Sequence, residues 1–125
     1  MNNSFIPKIL LSSSSKKVPL ILALKKAGLS IHPESEVIAG DINPNSLTFF
    51  VADKSWEMPN LDKCNVDELI TDCLNFGINI IFPSRDGELL FWSNNANKFR
   101  MRGIEVLISK PEPLKVCIDK FAFSE

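Results

Sequence analysis

Lys8-Ile9-Leu10-Leu11-Ser12, running on into Ser13-Ser14-Ser15-Lys16-Lys17, is the stretch that decides the fold. A short unbroken apolar run that stops in serines reads as a strand buried on both faces, opening into a polar loop. Between Lys17 and Ala27 the apolar residues Val18, Ile21, Leu22 and, on the flank, Leu24 form a helical stripe. Pro19 is tolerated there because it falls in the first turn, and Gly28 supplies a left-handed stop. Glu36-Val37-Ile38-Ala39-Gly40 is a second apolar strand that ends at Asp41, and Asn43-Pro44-Asn45 makes a turn. Strand, helix and second through-apolar strand make the repeating unit of a parallel sheet covered on both sides.

The same alternation continues outward. Leu47 to Ala52 has two readings, a strand from its phenylalanines or a short helical turn capped by Ser46. Ser55-Trp56-Glu57-Met58 alternates and ends at Pro59, as an edge strand does. Asn65 with Glu68 resembles a capping box, and Val66, Leu69, Ile70, Cys73 and Leu74 then fall on one helical face up to Gly77. Asn79-Ile80-Ile81-Phe82 is a further buried strand, closed by Pro83-Ser84. Leu89, Trp92, Ala96 and Phe99 mark a helix that begins near Asp86 and stops by Gly103. Glu105 to Ile108 is the last strand, and Pro111 and Pro113 open a final helix carrying Leu114, Cys117, Ile118 and Phe121. The expected class is α/β: a three-layer, Rossmann-like open parallel sheet of about five strands in the order 3-2-1-4-5, with right-handed crossovers and helices on both faces.

Residues 1–125 suffice for one domain, and a chain of this size buries roughly two thirds of its unfolded surface without a staple. Fourteen basic against fifteen acidic residues give a net charge of -1, which excludes the broad positive field of a general nucleic-acid binder. Cys64, Cys73 and Cys117 are odd in number and lack C-x-x-C spacing, so they read as reduced thiols of a cytoplasmic protein. His32, before Pro33, reads as a loop residue, and a single histidine cannot furnish a two-histidine metal site. No apolar run reaches the length of a membrane helix, and Met1 to Leu11 lacks the pattern of a secretion signal. The expected protein is soluble and binds neither membrane nor nucleic acid.

Ligands of such sheets sit at the carboxyl ends of the strands, beside the point where strand order reverses. That places the candidate site on the loops after Ser12, Asp41 and Phe82. Ser12, Ser13 and Ser14 let backbone approach a ligand, the following helix start presents free amides, and Lys16 and Lys17 add charge for a phosphate or carboxylate. The alternative for this run is an ordinary serine-capped helix start with solvated lysines. A dinucleotide is disfavoured because G-x-G-x-x-G is missing. Asp41 suits a polyol or a turn with Asn43 and Pro44. In Pro83-Ser84-Arg85-Asp86-Gly87-Glu88, Asp86 suits a ligand or a helix cap, and Glu88 a ligand or the helix dipole. Arg85 opposes that dipole and calls for an anionic partner. Ser109-Lys110-Pro111 looks like the Lys-Pro of a phosphoacceptor receiver domain. Yet serines stand where a receiver needs acidic residues after its first strand, and the third strand ends at Met58-Pro59 rather than at an aspartate.

The ordered set of segments resembles the N-terminal (pre-ATP-grasp) domain of ATP-grasp ligases of the carbamoyl-phosphate-synthase-like group. It comprises Lys8 to Ser13 with Lys16-Lys17, Gly40-Asp41-Ile42-Asn43-Pro44, Ala52-Asp53-Lys54, Ile81 to Leu89, and Val106 to Ser109 leading to Cys117-Ile118-Asp119-Lys120. The likeness covers almost the full chain and favours the helical turn for Leu47 to Ala52. It departs from the family where Ser14, Ser15, Lys16 and Lys17 replace a small residue, a glycine and two arginines, and where Lys110 replaces a serine. The resemblance implies a substrate-side and docking domain, residues 1–125, inactive alone, with the grasp lobes following residue 125. ATP and Mg²⁺ would serve the parent protein, with no cofactor, catalytic residue or metal ligand in this domain. Its substrate-binding residues would be Ser12, Ser13, Ser14, Lys16, Lys17, Asp41, Arg85, Asp86 and Glu88, facing a small carboxylate or amine substrate. Phe121 and Phe123 suit docking against the lobes or a homodimer contact, and the edge strand near Trp56 also suits pairing with a second copy. The other reading from a different class is a free-standing α/β module that binds a small anion or a protein without catalysis.

Overall fold

The computed structural model describes residues 5–108. Five strands, β1 (Lys8–Ser12), β2 (Glu36–Asp41), β3 (Lys54–Glu57), β4 (Ile80–Pro83) and β5 (Glu105–Val106), form one sheet in the order β3-β2-β1-β4-β5. Every pairing is parallel, as the unbroken apolar runs require: β1 lies between β2 and β4, with Leu10 opposite Ile38 on one side and Ile81 on the other. The open, Rossmann-like α/β sheet expected from the sequence is the fold of this chain.

Side chains of a strand alternate between faces, and the core divides accordingly. Ile9, Leu11, Val37, Ala39, Ile80 and Phe82 point to α1 (Val18–Ile31), packing on its Ile21 and Leu24. Leu10, Ile38, Ile81 and Val106 point the other way, to Leu69, Ile70 and Cys73 of α2 (Val66–Asn75) and to Trp92 and Phe99 of α3 (Leu89–Arg100). Ile9, Leu10 and Leu11 are wholly buried, and each contributes about 2 kcal/mol by burial. Asn65 caps α2 by accepting the Glu68 N–H at 3.1 Å. Gly77 closes the helix at φ 77, and Ile78 N–H returns to the Cys73 carbonyl.

Two element ends differ from the sequence expectation. Gly28 does not stop α1, which runs on to Ile31. It is buried inside the helix, where a Cβ would come within 2.7 Å of the Ser35 hydroxyl, so the glycine serves close packing. The helix ends at His32, in extended conformation, because the residue before a proline is pushed out of the helical region. The buried stripe of α1 is Ile21, Leu24, Ala27 and Gly28, while Leu22 faces outward, half exposed. β5 is shorter than its apolar run, although Leu107 N–H still bonds the Ile81 carbonyl. Leu47–Phe50 forms a 3-10 turn, the helical one of its two readings, but the Ser46 hydroxyl does not cap it. Ser109-Lys110-Pro111, the helix expected after it, and Phe121 and Phe123 lie outside the described residues.

Burial raises the Cys73 thiol from its ordinary 9.0 to about 12, with nearby Asp72 adding to the effect. The folded state therefore keeps a proton that the unfolded chain loses above about pH 9, and stability falls as pH rises from there toward 12. Between pH 8 and pH 10 the wild type is expected to lose about 1 kcal/mol more than Cys73→Ala in urea unfolding. Equal losses in the two proteins would contradict this assignment.

Candidate functional site

The loop leaving β1 is built between its two neighbours. Ser13 at φ 56 and Ser15 at φ 45 take left-handed backbone, which residues with a Cβ adopt only when their surroundings hold them. From the β2 side, Asp41 Oδ2 accepts the Ser15 N–H at 3.0 Å, and its Oδ1 accepts the Ile42 N–H at 2.8 Å. Gly40 carbonyl accepts both the N–H and the hydroxyl of Ser14, at 2.9 and 3.1 Å. Ser14 also meets the Thr48 hydroxyl at 2.6 Å, and Ser46 donates to the Ser15 carbonyl.

From the β4 side, the Ser84 hydroxyl donates to the Ser12 and Ser13 carbonyls at 2.6 and 3.1 Å, and the Lys17 ammonium donates to the Ser84 carbonyl. Glu88 accepts the Ser12 hydroxyl at 2.9 Å, the Ser13 hydroxyl on its other oxygen, and the Trp92 indole N–H at 3.4 Å. Ser12, Ser14, Ser46 and Thr48 are all the buried polar residues among those described, and all belong to this network. A buried hydroxyl left without a partner is costly, so the network holds the loop in one shape.

Of the residues that the sequence singled out, Ser12, Ser13, Ser14, Lys17, Asp41 and Glu88 are thus joined directly or through Ser84 and the backbone. Lys16, Arg85 and Asp86 stand exposed on the same loops, and their side chains form no hydrogen bond or ion pair with the described residues. Asp86 caps nothing: a 3-10 turn, Asp86–Glu88, precedes α3 and has no side-chain cap. Glu88 turns its carboxylate to the serines rather than to a helix amide. The site therefore holds its shape with internal bonds and offers solvent two cations and one carboxylate. No group of three or more His, Cys, Asp or Glu side chains able to hold a metal ion occurs among the described residues. No helix among them is long and apolar enough to cross a membrane.

Ser46, Thr48, Ser84 and Trp92 belong to the network and escaped the sequence reading. Ser46 and Thr48 sit in the stretch that has two readings in the sequence, and Trp92 bears the mark of a core residue, which it also is. Ser84 had a signal, being the first polar residue after β4 and register-adjacent to Ser12 through Pro83. A separate cleft lined by Trp56, Glu57, Met58, Lys63, Glu68 and Asp72 lies between β3 and α2 and shares none of these residues.

Residues 9–107 match the family model described as PylC-like, N-terminal domain. No curated protein sequence matches the chain. Among solved structures, glycinamide-RNase-transformylase T from Mycobacterium tuberculosis superposes with a TM-score of 0.58 at 17% identity, over 79% of this chain and 28% of its own. The holo form of a GalE-like L-threonine dehydrogenase from Cupriavidus necator reaches 0.45 at 22% identity, over 74% of this chain and 28% of its own. The chain thus spans little more than a quarter of each of these structures.

Proposed function

Because this chain belongs to the PylC-like N-terminal domain family, the pre-ATP-grasp domain of ATP-grasp enzymes, we propose that it is the substrate-side and docking domain of a carboxylate–amine ligase of the carbamoyl-phosphate-synthase-like group. It works in the cytoplasm and carries no catalytic residue of its own. Grasp lobes beyond residue 125 would hold ATP and Mg²⁺. There a substrate carboxylate takes the terminal phosphoryl group, ADP leaves, and an amine or ammonia then displaces phosphate from the acyl phosphate. This domain supplies one wall of the substrate pocket. Lys16 and Arg85 meet the anionic group of the substrate, with Asp86 beside them. Ser12, Ser13, Ser14, Lys17, Asp41 and Glu88 shape the surface from which those side chains project.

One observation supports this most: the loops after β1 and β4, seventy-two residues apart at their Ser84–Ser12 bond, are tied into a single rim. Two charged side chains on that rim, Lys16 and Arg85, have no partner within the described residues. Such cations are available for a carboxylate or phosphate, and arginine meets it in a two-pronged fork.

The test uses the gene's longest product, incubated with Mg²⁺, ATP and a panel of small carboxylic acids with amines. ADP release that requires both an acid and an amine supports the ligase reading. Arg85→Ala is expected to raise KM for the acid by about 10- to 100-fold with little change in kcat, the loss of a charge-assisted bond. A product that never turns over ATP, yet binds a small anion at Arg85, would replace this reading with the free-standing module.

A further inference from the structure

We propose that Glu88 is the positioning residue of this site: it fixes the shape of the Ser12–Lys17 loop and acts on a bound anion only through that loop. The inference rests on the reading of the loop as ligand-binding. Glu88 stands where α3 begins, a place where a carboxylate ordinarily faces the free amides of its own helix. Here it makes no such cap. Both its oxygens turn to β1 instead, one to the Ser12 hydroxyl and one to the Ser13 hydroxyl.

Ser13 is the residue that needs holding. Its backbone lies at φ 56, in the left-handed region, and a side chain tethered at its tip cannot follow the backbone back to an extended form. Glu88 is itself anchored. Its Oε1 also accepts the indole N–H of Trp92, which is wholly buried and packs against Phe91 and Phe99 at centroid distances of 5.0 and 5.4 Å. A rigid line thus runs from the aromatic core through Glu88 to Ser13, three residues from the free Lys16. Three donors already occupy the carboxylate, so a ligand reaches its neighbours more readily than Glu88 itself.

The test is made on the full 125-residue chain, ¹⁵N-labelled, with inorganic phosphate as the probe. Glu88→Ala is expected to shift the amides of residues 12–17 and the indole N–H of Trp92 before any phosphate is added. It is expected to weaken phosphate binding about tenfold, the effect of one charged hydrogen bond, with Glu88→Gln retaining most of the affinity. The Ser12→Ala/Ser13→Ala double variant, which removes both hydroxyls, is expected to lose as much as Glu88→Ala, and adding Glu88→Ala to it changes little further. Unmoved loop amides in Glu88→Ala would overturn the proposal. So would a loss of phosphate binding in Glu88→Ala with none in the serine double variant, since Glu88 would then touch the anion directly. Should Glu88→Ala fail to fold, the serine double variant carries the test, and unmoved amides at residues 15–17 with unchanged phosphate binding in it would overturn the proposal. If the wild type binds no phosphate while Glu88→Ala still moves the loop, the ligand reading falls and the hold of Glu88 on the loop stands.

Discussion

Trp92→Ala is expected to cost the domain about 3–5 kcal/mol, a large share of the roughly 5–15 kcal/mol that keeps a domain folded. Trp92 and Phe99 are the two buried side chains of α3, with Phe91 and Ala96 packed half-buried beside them, so this ring is a main anchor of the helix. The ring is fully enclosed, next to Phe91 and Phe99, and belongs to the cluster with Leu10, Ile38 and Ile81. Removing it leaves a cavity that the short strands around it cannot close. In urea the midpoint is expected to fall by about 2 M, for a slope near 2 kcal/mol/M. Trp92→Phe keeps most of the apolar surface and loses only volume and the N–H to Glu88, and is expected to cost about 1–2 kcal/mol. A midpoint within about 0.5 M of the wild type for Trp92→Ala would mean that α3 is held by something else.

Gly40→Val is the second severe change. Gly40 lies on β2, where a Cβ would come within 2.4 Å of Met58 Sδ and 2.9 Å of Leu10 Cδ1. Even alanine must displace the buried Met58 tail and the end of Leu10, at about 1–3 kcal/mol, and the branched valine adds two methyls to the same crowded space, at the top of that range or beyond. Because the Gly40 carbonyl holds both the N–H and the hydroxyl of Ser14, the strain reaches the candidate site directly. The clash has an internal check. Met58→Ala opens the space that the new methyl needs, so Gly40→Ala and Met58→Ala together are expected to cost less than the sum of the two alone by at least about 0.5 kcal/mol. Strict additivity in thermal or urea unfolding would show that Met58 is not the obstacle.

The architecture was legible because its decisive signals are local. Ile9 to Leu11, Val37 to Ala39 and Ile80 to Phe82 are apolar without interruption, and only a strand covered on both faces accommodates that pattern. Asn65 and Gly77 likewise announce the ends of α2 through chemistry confined to a few residues. Gly28 misled because a glycine serves either a left-handed turn or a close approach, and the choice depends on Ser35, which arrives only with the fold. That the loops after β1, β2 and β4 share one end of the sheet was legible too, since the parallel topology dictates it. The division of labour within it was not legible. Whether Glu88 faces its own helix, a ligand or Ser13 is decided by contacts seventy-five residues apart. Lys16 and Lys17 are adjacent and chemically identical, yet only Lys17 reaches Ser84.

Where this domain meets its substrate is decided by a crystal structure of the chain soaked with small carboxylic acids and amino acids at saturating concentration. A carboxylate is expected at the carboxyl ends of β1 and β4, within hydrogen-bond reach of Lys16 and Arg85, with Ser13 and Ser15 still left-handed. Ligand seated instead between β3 and α2 beside Trp56, or at the opposite end of the sheet near Asn79 and Glu105, would contradict it.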